Sequence, residues 1–205
     1  MQKSLFDIEK TKRTIDADLQ LIKSKAYRRR EKAKAKIGKA MQSLSEVIGE
    51  LAMGETIHYV SMGEWSTHNL LEHCLLQTGP ANVYIATWSV SEDGVRHIIN
   101  AVKSGLITRI HAIFDWRVKI RRPEAFELAR FNIADVRLTT CHAKVTVVQN
   151  QTWSIAIIGS ANYTNNPRIE AGVICCCHDV ANFHRDWMMA EIKKADPFET
   201  YKRRK

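Results

Sequence analysis

The sequence is poor in the residues that interrupt regular structure, and it has no long apolar segment. Only 4 prolines and 9 glycines occur among 205 residues, and no apolar run approaches the roughly 18 residues that a transmembrane helix requires. Residues 1–19 (MQKSLFDIEKTKRTIDADL) carry charges throughout, which excludes the pattern of a secretory signal peptide. These absences favour a soluble cytoplasmic protein with one domain and an appendage.

The cysteines and histidines show no spacing typical of a metal site. Three of the 5 cysteines are consecutive, Cys175 to Cys177, and neighbouring strand residues point to opposite faces. They therefore predict a buried strand end in a reducing compartment, with a zinc site that uses His178 as the alternative. We expect no metal and no cofactor, because the following histidines lack a ligand spacing with carboxylates: His58, His68, His73, His97, His111, His178 and His184.

Basic residues are concentrated at the two ends of the chain, while its middle is nearly neutral. Residues 1–50 contain 13 Lys and Arg against 7 Asp and Glu, and residues 202–205 are all basic. Residues 51–201 contain 14 basic and 15 acidic side chains. Basic ends of this kind attract polyanions, with an affinity that falls as the salt concentration rises.

Residues 1–52 are predicted to form a long helix. Apolar residues recur at alternating steps of three and four within each half, as in a coiled-coil seam that is interrupted near Arg29. The middle, KSKAYRRREKAKAKIGK, fits a solvated helix surface, a polyanion-binding arm or, with less support because Trp and Phe are missing, a membrane-surface helix. We predict a basic arm over residues 1–54. Its expected nucleic-acid-binding residues are Arg28, Arg29, Arg30, Lys32, Lys34 and Lys36.

Residues 55–198 have the pattern of an α/β domain, and residues 199–205 are expected to form a basic tail. Strand-like segments alternate with helix-like segments that begin at serines and end at glycines. Three strands without room for helices follow, and then a final helix. This order predicts an α/β sandwich with a mixed sheet. The last four predicted elements are strands 142–149, 153–158 and 169–176 and helix 179–195.

A few polar residues frame a neutral, strand-rich stretch near the end of this domain. No acidic or basic residue lies between Lys144 and Arg168. His142 is a candidate nucleophile or base, and Lys144 falls on the same face of a strand. The turn Gly159–Asn162 supplies Ser and Asn for phosphate oxygens, and Glu170 is placed to orient His142. This combination suits attack on a phosphodiester with stabilisation of the charge that develops.

The pattern His-x-Lys, a strand pair, Gly-Ser-x-Asn and a downstream Glu resembles the signature of the phospholipase D superfamily. The resemblance covers about residues 56–178 and is similar to the small bacterial and phage nuclease-like members with a single motif. It implies that His142 is a nucleophile that forms a phosphohistidine and that Lys144 and Asn162 bind phosphate. It also implies that Ser160 bonds near the nucleophile and that Glu170 orients it.

The resemblance also implies a metal-free mechanism in a homodimer. Members with a single motif bring two motifs together across a two-fold axis, so that a second His142 protonates the leaving oxygen. The sequence departs from the family's His-Lys-Asp pattern at one position, because Gln149 stands where the family has Asp. That residue is mostly a structural partner at a strand end.

Several residues outside the motif are secondary candidates. Arg117, Lys119, Arg121 and Arg122 form a basic cluster that fits either a substrate-contacting rim or an ordinary exposed loop. Asp115 and Trp116, at the preceding strand end, are weaker candidates. The tryptophans Trp65, Trp88, Trp153 and Trp187 are expected in the core.

The resulting hypothesis is a metal-independent phosphodiesterase, a nuclease that acts on DNA or RNA as a homodimer. Three alternatives stay open. The first is a phospholipase D-type lipid hydrolase, and the second is a non-catalytic nucleic-acid-binding protein with the same fold. The third is an assembly protein whose N-terminal helix forms a coiled coil.

Overall fold

The computed structural model describes residues 25–29, 33–37, 44–165 and 167–194, in which nine strands form one mixed sheet. The strands are β1 (Lys25–Arg29), β2 (Ala33–Ile37), β3 (Thr56–Ser61), β4 (Ala81–Thr87), β5 (Ile107–Asp115), β6 (Asp135–Thr139), β7 (Val145–Gln149), β8 (Ser154–Gly159) and β9 (Glu170–Cys175). Their order across the sheet is β2-β1-β3-β9-β8-β7-β4-β5-β6. Strands β4, β5 and β6 are parallel, and the other pairs are antiparallel.

Helices cover both faces of this sheet. They are α1 (Leu44–Val47), α2 (Thr67–Thr78), α3 (Glu92–Lys103), α4 (Val118–Arg121), α5 (Pro123–Asn132) and α6 (His178–Lys194). Alternate residues of β4 explain the two layers, because successive strand side chains point to opposite faces. Val83 and Ile85 pack in the core that α2, α3 and α5 cover, whereas Ala86 packs in a second core with Met188 of α6. The predicted α/β sandwich with a mixed sheet is confirmed.

The helix boundaries follow the capping signals in the sequence. The backbone N–H of Gly94 donates to Ser91 Oγ at 3.2 Å, and the N–H of Ser66 donates to Asn69 Oδ1 at 3.0 Å. Such bonds satisfy amide groups that the first helical turn leaves without partners. Gly79 ends α2 with φ of 70°, a conformation that favours glycine.

The N-terminal segment differs from its prediction. Residues 25–29 and 33–37 are antiparallel strands rather than parts of a long helix, and β1 extends the sheet beyond β3. The alternation of Ala and Lys in AKAKI has the period of a strand, and the free side of β3 offers unpaired backbone groups. Residues 1–24, 30–32 and 38–43 of the predicted helix, and the tail 199–205, lie outside the described residues.

The packed body begins before the predicted boundary at residue 54. Val47, Ile48 and Leu51 are buried in the core that contains α2. The backbone N–H of Leu51 also donates to Gln77 Oε1 at 2.8 Å. Residues 44–54 are therefore part of the body and not of a separate arm. Within the described ranges, no helix combines the length and the apolar character needed to cross a bilayer.

Candidate active site

Five strand termini meet at one end of the sheet, which we call the site end. Strand β7 begins beside the last residues of β4, and β8 runs antiparallel to β7, so it finishes where β7 begins. Strand β9 starts next to the end of β8, and its first residue, Glu170, pairs with the last residue of β3, Ser61. This topology brings His142, Lys144, Ser160, Asn162 and Glu170 to the same end.

His142 and Lys144 lie in the extended segment just before β7. His142 is exposed, and Lys144 is half-buried. Because β7 begins only at Val145, strand alternation does not place these two side chains. Instead Lys144 Nζ donates to the carbonyl oxygen of His142 at 2.9 Å. Burial lowers the pKa of Lys144, while Cys141 and Glu170 act in the opposite direction.

A tryptophan that was expected in the core stands beside the candidate nucleophile. Trp88 follows the last residue of β4, and its ring centroid lies 5.7 Å from that of His142. The guanidinium groups of Arg117 and Arg121 lie over the same indole, at 5.3 and 6.0 Å from its centroid. Trp88 thus joins the basic cluster to His142, and its position at the carboxyl end of a parallel strand is the sequence signal that could have identified it.

Asp115 anchors the segment that carries His142. Its fully buried carboxylate accepts hydrogen bonds from Arg117 Nε at 2.5 Å and from the backbone N–H of Cys141 at 3.1 Å. Burial raises the pKa of Asp115, but these bonds outweigh it, and the pKa lies below its usual value. A charged Asp115 therefore holds both Arg117 and the backbone next to His142.

Ser160, which follows β8, and Glu170, the first residue of β9, form a hydrogen-bonded pair. Ser160 Oγ donates to Glu170 Oε2 and accepts from the backbone N–H of Ala171 at 3.1 Å. The predicted contact of Ser160 near the nucleophile and the predicted orientation of His142 by Glu170 both stay predictions. The observed bond instead fixes the Ser160 hydroxyl against Glu170.

Asn162 is held at its backbone and at its side chain. Thr67 Oγ1 donates to the carbonyl oxygen of Asn162 at 3.2 Å, and Thr87 Oγ1 donates to its Oδ1 at 3.2 Å. The next residue, Tyr163, is buried, and its hydroxyl lies 2.6 Å from Thr146 Oγ1. These contacts fix the Asn162 amide, whose N–H₂ group is the kind of donor that a phosphate oxygen accepts from.

The position at which the sequence departs from the family pattern lies at the opposite end of β7. Gln149 donates to Asn182 Oδ1 at 2.9 Å and to Ser154 Oγ at 3.2 Å, and Arg185 donates to it at 3.3 Å. It lies five positions along the extended chain from Lys144, a span of about 16 Å. Gln149 is therefore a strand-end partner outside the candidate site.

The remaining predicted contact residues are distributed unevenly. Lys119, Arg121 and Arg122 are exposed, and Arg117 is half-buried against Asp115. Within the predicted arm, Arg28 and Arg29 belong to β1, and Lys34 and Lys36 belong to β2. Residue 29 pairs with Thr56, so this part of β1 is directed away from the site end. Arg30 and Lys32 lie outside the described residues.

The structure corrects one statement about the histidines. His68 and His97 lie with Asp93 in a group whose possible metal-ligating atoms are all within 4.8 Å of one another. Asp93 and His97 are four residues apart on α3, a spacing that places both on one helix face and that was overlooked in the sequence. The consecutive cysteines agree with a strand end: Cys176 is buried, and Cys175 and Cys177 are half-buried.

Comparisons with known proteins give a fold but no family. No protein-family profile and no curated protein sequence matches the chain. Among solved structures, Nuc from Salmonella typhimurium, a phospholipase D family member, is 18% identical with a TM-score of 0.52. This alignment covers 64% of this chain and 91% of Nuc. The chain therefore has a phospholipase D-like fold, as the sequence predicted.

Two other solved structures are similar at TM-scores below 0.5. The archaeal chromatin protein TrmBL2 has a TM-score of 0.45 at 12% identity, over 68% of this chain and 53% of its own. The polyphosphate kinase from Porphyromonas gingivalis has a TM-score of 0.49 at 11% identity, over 71% of this chain and 27% of its own.

Proposed function

We propose that the protein is a metal-independent phosphodiesterase that cleaves DNA or RNA through His142. The observation that carries the proposal is the group of side chains at the site end. An exposed imidazole, a lysine, a fixed amide and a serine–carboxylate pair all belong to segments that end or begin there. The phospholipase D-like fold supports it as well. The fold alone does not define a reaction, so the argument depends on these residues.

In the proposed first step, a nitrogen of His142 attacks phosphorus. A P–N bond forms, a P–O bond breaks, and the leaving oxygen takes a proton from His142 of the partner subunit. Lys144 and the amide of Asn162 hold the non-bridging oxygens, on which negative charge increases. Water then attacks phosphorus, and the second imidazole takes its proton. The P–N bond breaks, and His142 is regenerated.

The second imidazole requires a homodimer, because the chain has a single His-x-Lys motif. The pairing can be tested by refolding the wild type together with increasing amounts of His142→Ala after partial unfolding. If each active site needs an imidazole from both chains, the mixed dimers are inactive, and activity falls as the square of the wild-type fraction. Light scattering of the wild type at working concentration should give twice the mass of one chain.

Nucleic acid is the proposed substrate because basic side chains adjoin the candidate site and because residues 1–50 and 202–205 carry the excess positive charge of the chain. Arg117 and Arg121 lie over Trp88 next to His142, so a flexible base could stack near the scissile phosphate. The basic residues of β1 and β2 would contact more distant phosphates. Such contacts position the polymer without reading its sequence.

The test is cleavage of plasmid DNA, single-stranded DNA and single-stranded RNA in excess EDTA. Wild type should cut at least one substrate, and His142→Ala should cut none. An acid-labile covalent adduct between the wild-type protein and the nucleic-acid fragment, trapped by rapid quenching, would identify the phosphohistidine. Salt-sensitive binding by both proteins without any cutting would exclude the nuclease and leave a binding protein.

A lipid head group is the second candidate substrate, because two exposed aliphatic side chains adjoin candidate site segments. Ile120 is 67% exposed beside Lys119, and Ile169 is 64% exposed just before Glu170. Adding phosphatidylcholine vesicles to the same assay distinguishes lipid hydrolysis from nucleic-acid cleavage. Head-group release that depends on His142, with no nucleic-acid cleavage, would assign the site to lipid hydrolysis.

A further inference from the structure

A second group of ionisable side chains lies where the first turns of α2 and α3 approach each other. His68 follows the first residue of α2, and Asp93 and His97 occupy one face of α3. His68 Nε2 is 3.8 Å from Asp93 Oδ2, and His97 Nε2 is 4.0 Å from the same oxygen. None of the three belongs to the group around His142.

The buried imidazole of His68 has a hydrogen-bond partner on one of its two ring nitrogens. Its side chain is 3% exposed, and its Nδ1 has no hydrogen-bond partner among the described residues. Its Nε2 lies 2.7 Å from Ser66 Oγ, and that hydroxyl also donates to Asn69 Oδ1 at 2.7 Å. A metal ion on Nε2 would displace the Ser66 hydroxyl from this nitrogen, and the hydroxyl would keep its bond to Asn69.

The two rings lie close to one shared carboxylate. The rings of His68 and His97 are stacked with centroids 4.3 Å apart, and the Nε2 atom of each ring is within 4.0 Å of Asp93 Oδ2. Imidazole nitrogens and carboxylate oxygens are common protein ligands of zinc.

His97 has the surroundings of a metal ligand on both of its nitrogens. Its Nε2 faces Asp93, while its Nδ1 lies 4.0 Å from Glu72 Oε2. Metal-bound histidines commonly donate their other ring N–H to a carboxylate, which fixes the ring orientation. Glu72 is placed for this role, and the half-exposed Asp93 leaves an entry path from solvent.

We propose that His68, Asp93 and His97 bind one divalent transition-metal ion, with zinc as the type case and water in the remaining position. Two imidazoles and a carboxylate suit zinc, cobalt or nickel better than magnesium or calcium. In a tetrahedral zinc site, ligand atoms lie about 3.3 Å apart, given metal–ligand bonds near 2.05 Å. The observed separations of 3.8 and 4.0 Å exceed this value by about 0.5–0.7 Å, and all three ligand atoms lie within 4.8 Å of one another. Rotation of the partly exposed side chains of Asp93 and His97, which also separates the stacked rings, would bring the ligands together.

The position of the proposed metal site predicts a structural role for the ion. Asn165 Nδ2 donates to Asp93 Oδ2 at 2.8 Å, and the backbone N–H of Ser91 donates to the carbonyl oxygen of Tyr163 at 2.9 Å. The segment after β8, which carries Asn162, is thus attached to the start of α3. An ion that joins α2 to α3 would stabilise this attachment without contacting substrate.

The first test is titration of the untagged full-length protein with Co²⁺, followed by displacement with Zn²⁺. Tetrahedral Co²⁺ bound to nitrogen and oxygen ligands gives visible d–d absorption, whereas thiolate ligands add an intense near-ultraviolet charge-transfer band. We expect the first signal without the second, with one ion per chain. A dominant thiolate band would place the metal on cysteines and overturn the proposal.

The variants are His97→Gln and Asp93→Asn, with His111→Gln as the matched control. His97 is 40% exposed, so its replacement leaves no large cavity. His111 pairs with Asp135 at 2.6 Å, and the described residues add no third ligand to this His–Asp pair. Each site variant should bind Co²⁺ at least about 100-fold more weakly, whereas His111→Gln should bind it as the wild type does.

Thermal unfolding provides a second readout that does not depend on catalysis. Zn²⁺ should raise the melting temperature of the wild type by at least about 2–4 °C, and Mg²⁺ or Ca²⁺ should not. His97→Gln should lose this rise. A rise that persists in both site variants would overturn the proposal. Because the readouts are absorption and stability, failure here leaves the proposed reaction at His142 unaffected.

Discussion

Similar kinds of polar side chains lie at the two ends of strands β7 and β8, but their hydrogen-bond partners differ. At the end marked by Gln149, the side chains bond one another. Gln149 donates to Asn182 and to Ser154 and accepts from Arg185, and Ser154 Oγ also lies 2.9 Å from His178 Nδ1. A glutamine, an arginine, a serine and a histidine thus form a closed network.

At the site end, a lysine, a serine, an asparagine and a histidine are held mainly through backbone groups and buried partners. Lys144 donates to a carbonyl oxygen, Asn162 is fixed by Thr67 and Thr87, and the ring of His142 is exposed against Trp88. The comparison shows that residue types alone do not identify a site. A candidate site is better indicated by side chains that are fixed in position and still have donors or nucleophilic atoms available for a ligand.

The largest expected difference in activity is between variants of the histidine at the site end and the histidine at the opposite end. His142→Ala should lower phosphodiester cleavage by at least about 10⁴-fold, because it removes the proposed nucleophile, whereas His178→Ala should stay within about threefold of wild type. Rates with a chromogenic phosphodiester in EDTA measure both. Equal losses in the two variants would show that the ends do not differ.

Variants of the basic residue at each end, Lys144 and Arg185, should differ less in activity. Lys144→Ala should lower kcat/KM by about 10²–10³-fold, through loss of charge stabilisation at phosphorus, and Arg185→Ala should have little effect. Since burial lowers the pKa of Lys144, the charged form is lost at a lower pH than for an ordinary lysine, and activity should fall there. Lys144→Arg, which stays charged, should move this alkaline limit upward. If Lys144→Arg leaves the alkaline limit unchanged, the fall in activity at high pH is due to another ionisable group.

The third prediction concerns stability and compares two ion pairs. Asp115→Asn should lower the free energy of unfolding by about 2–3 kcal/mol, because it weakens a buried partner of Arg117 and of the backbone N–H of Cys141. Asp186→Asn, whose carboxylate is 66% exposed beside Arg185, should change it little. Denaturant unfolding at neutral pH measures both, and equal effects would contradict the anchoring role of Asp115.

The same pair has a pH dependence with a definite sign. The pKa of Asp115 is lower in the folded protein than its ordinary value, so its contribution is present above the ordinary Asp range. It is lost as the pH falls through the lower, folded value. The stability difference between wild type and Asp115→Asn should therefore shrink on acidification.

The smallest effect is expected at the position where the sequence departs from the family pattern. Gln149→Asp exchanges two donated hydrogen bonds for a carboxylate that can pair with Arg185, so stability should change by no more than about 1 kcal/mol. Cleavage should stay close to wild type, since the residue lies at the other end of β7. A large gain in activity would show that this end controls the site.

Much of the body was predictable because local signals agreed with one another. Helices α2 and α3 begin directly after serines, as the sequence predicted, and the strand predicted over 153–158 corresponds to β8 (Ser154–Gly159). The fold class followed from the order of these elements. The convergence of the motif residues at one end then follows from the antiparallel pairing of β7, β8 and β9.

The remaining features depended on contacts that the sequence does not reveal. The helical prediction for residues 25–37 used a seam of apolar residues and overlooked the alternation in AKAKI. Trp88 follows a buried strand and therefore resembled a core residue. His68 is separated by 25 positions from Asp93, and only the packing of α2 near α3 brings them together. Non-local contacts decide such features, and local patterns do not.

The order of strands also determines when the candidate active site can form during synthesis. Strand β9 lies between β3 and β8, and it pairs with β3 across more than 100 residues of chain. Pairings of such long sequence separation are slow to form, and a ribosome delivers the N-terminal strands first. A nascent chain therefore has no continuous sheet, and no Glu170 beside Ser160, until residues 170–175 have been synthesised. The candidate site is thus among the last parts of the described sheet that can assemble.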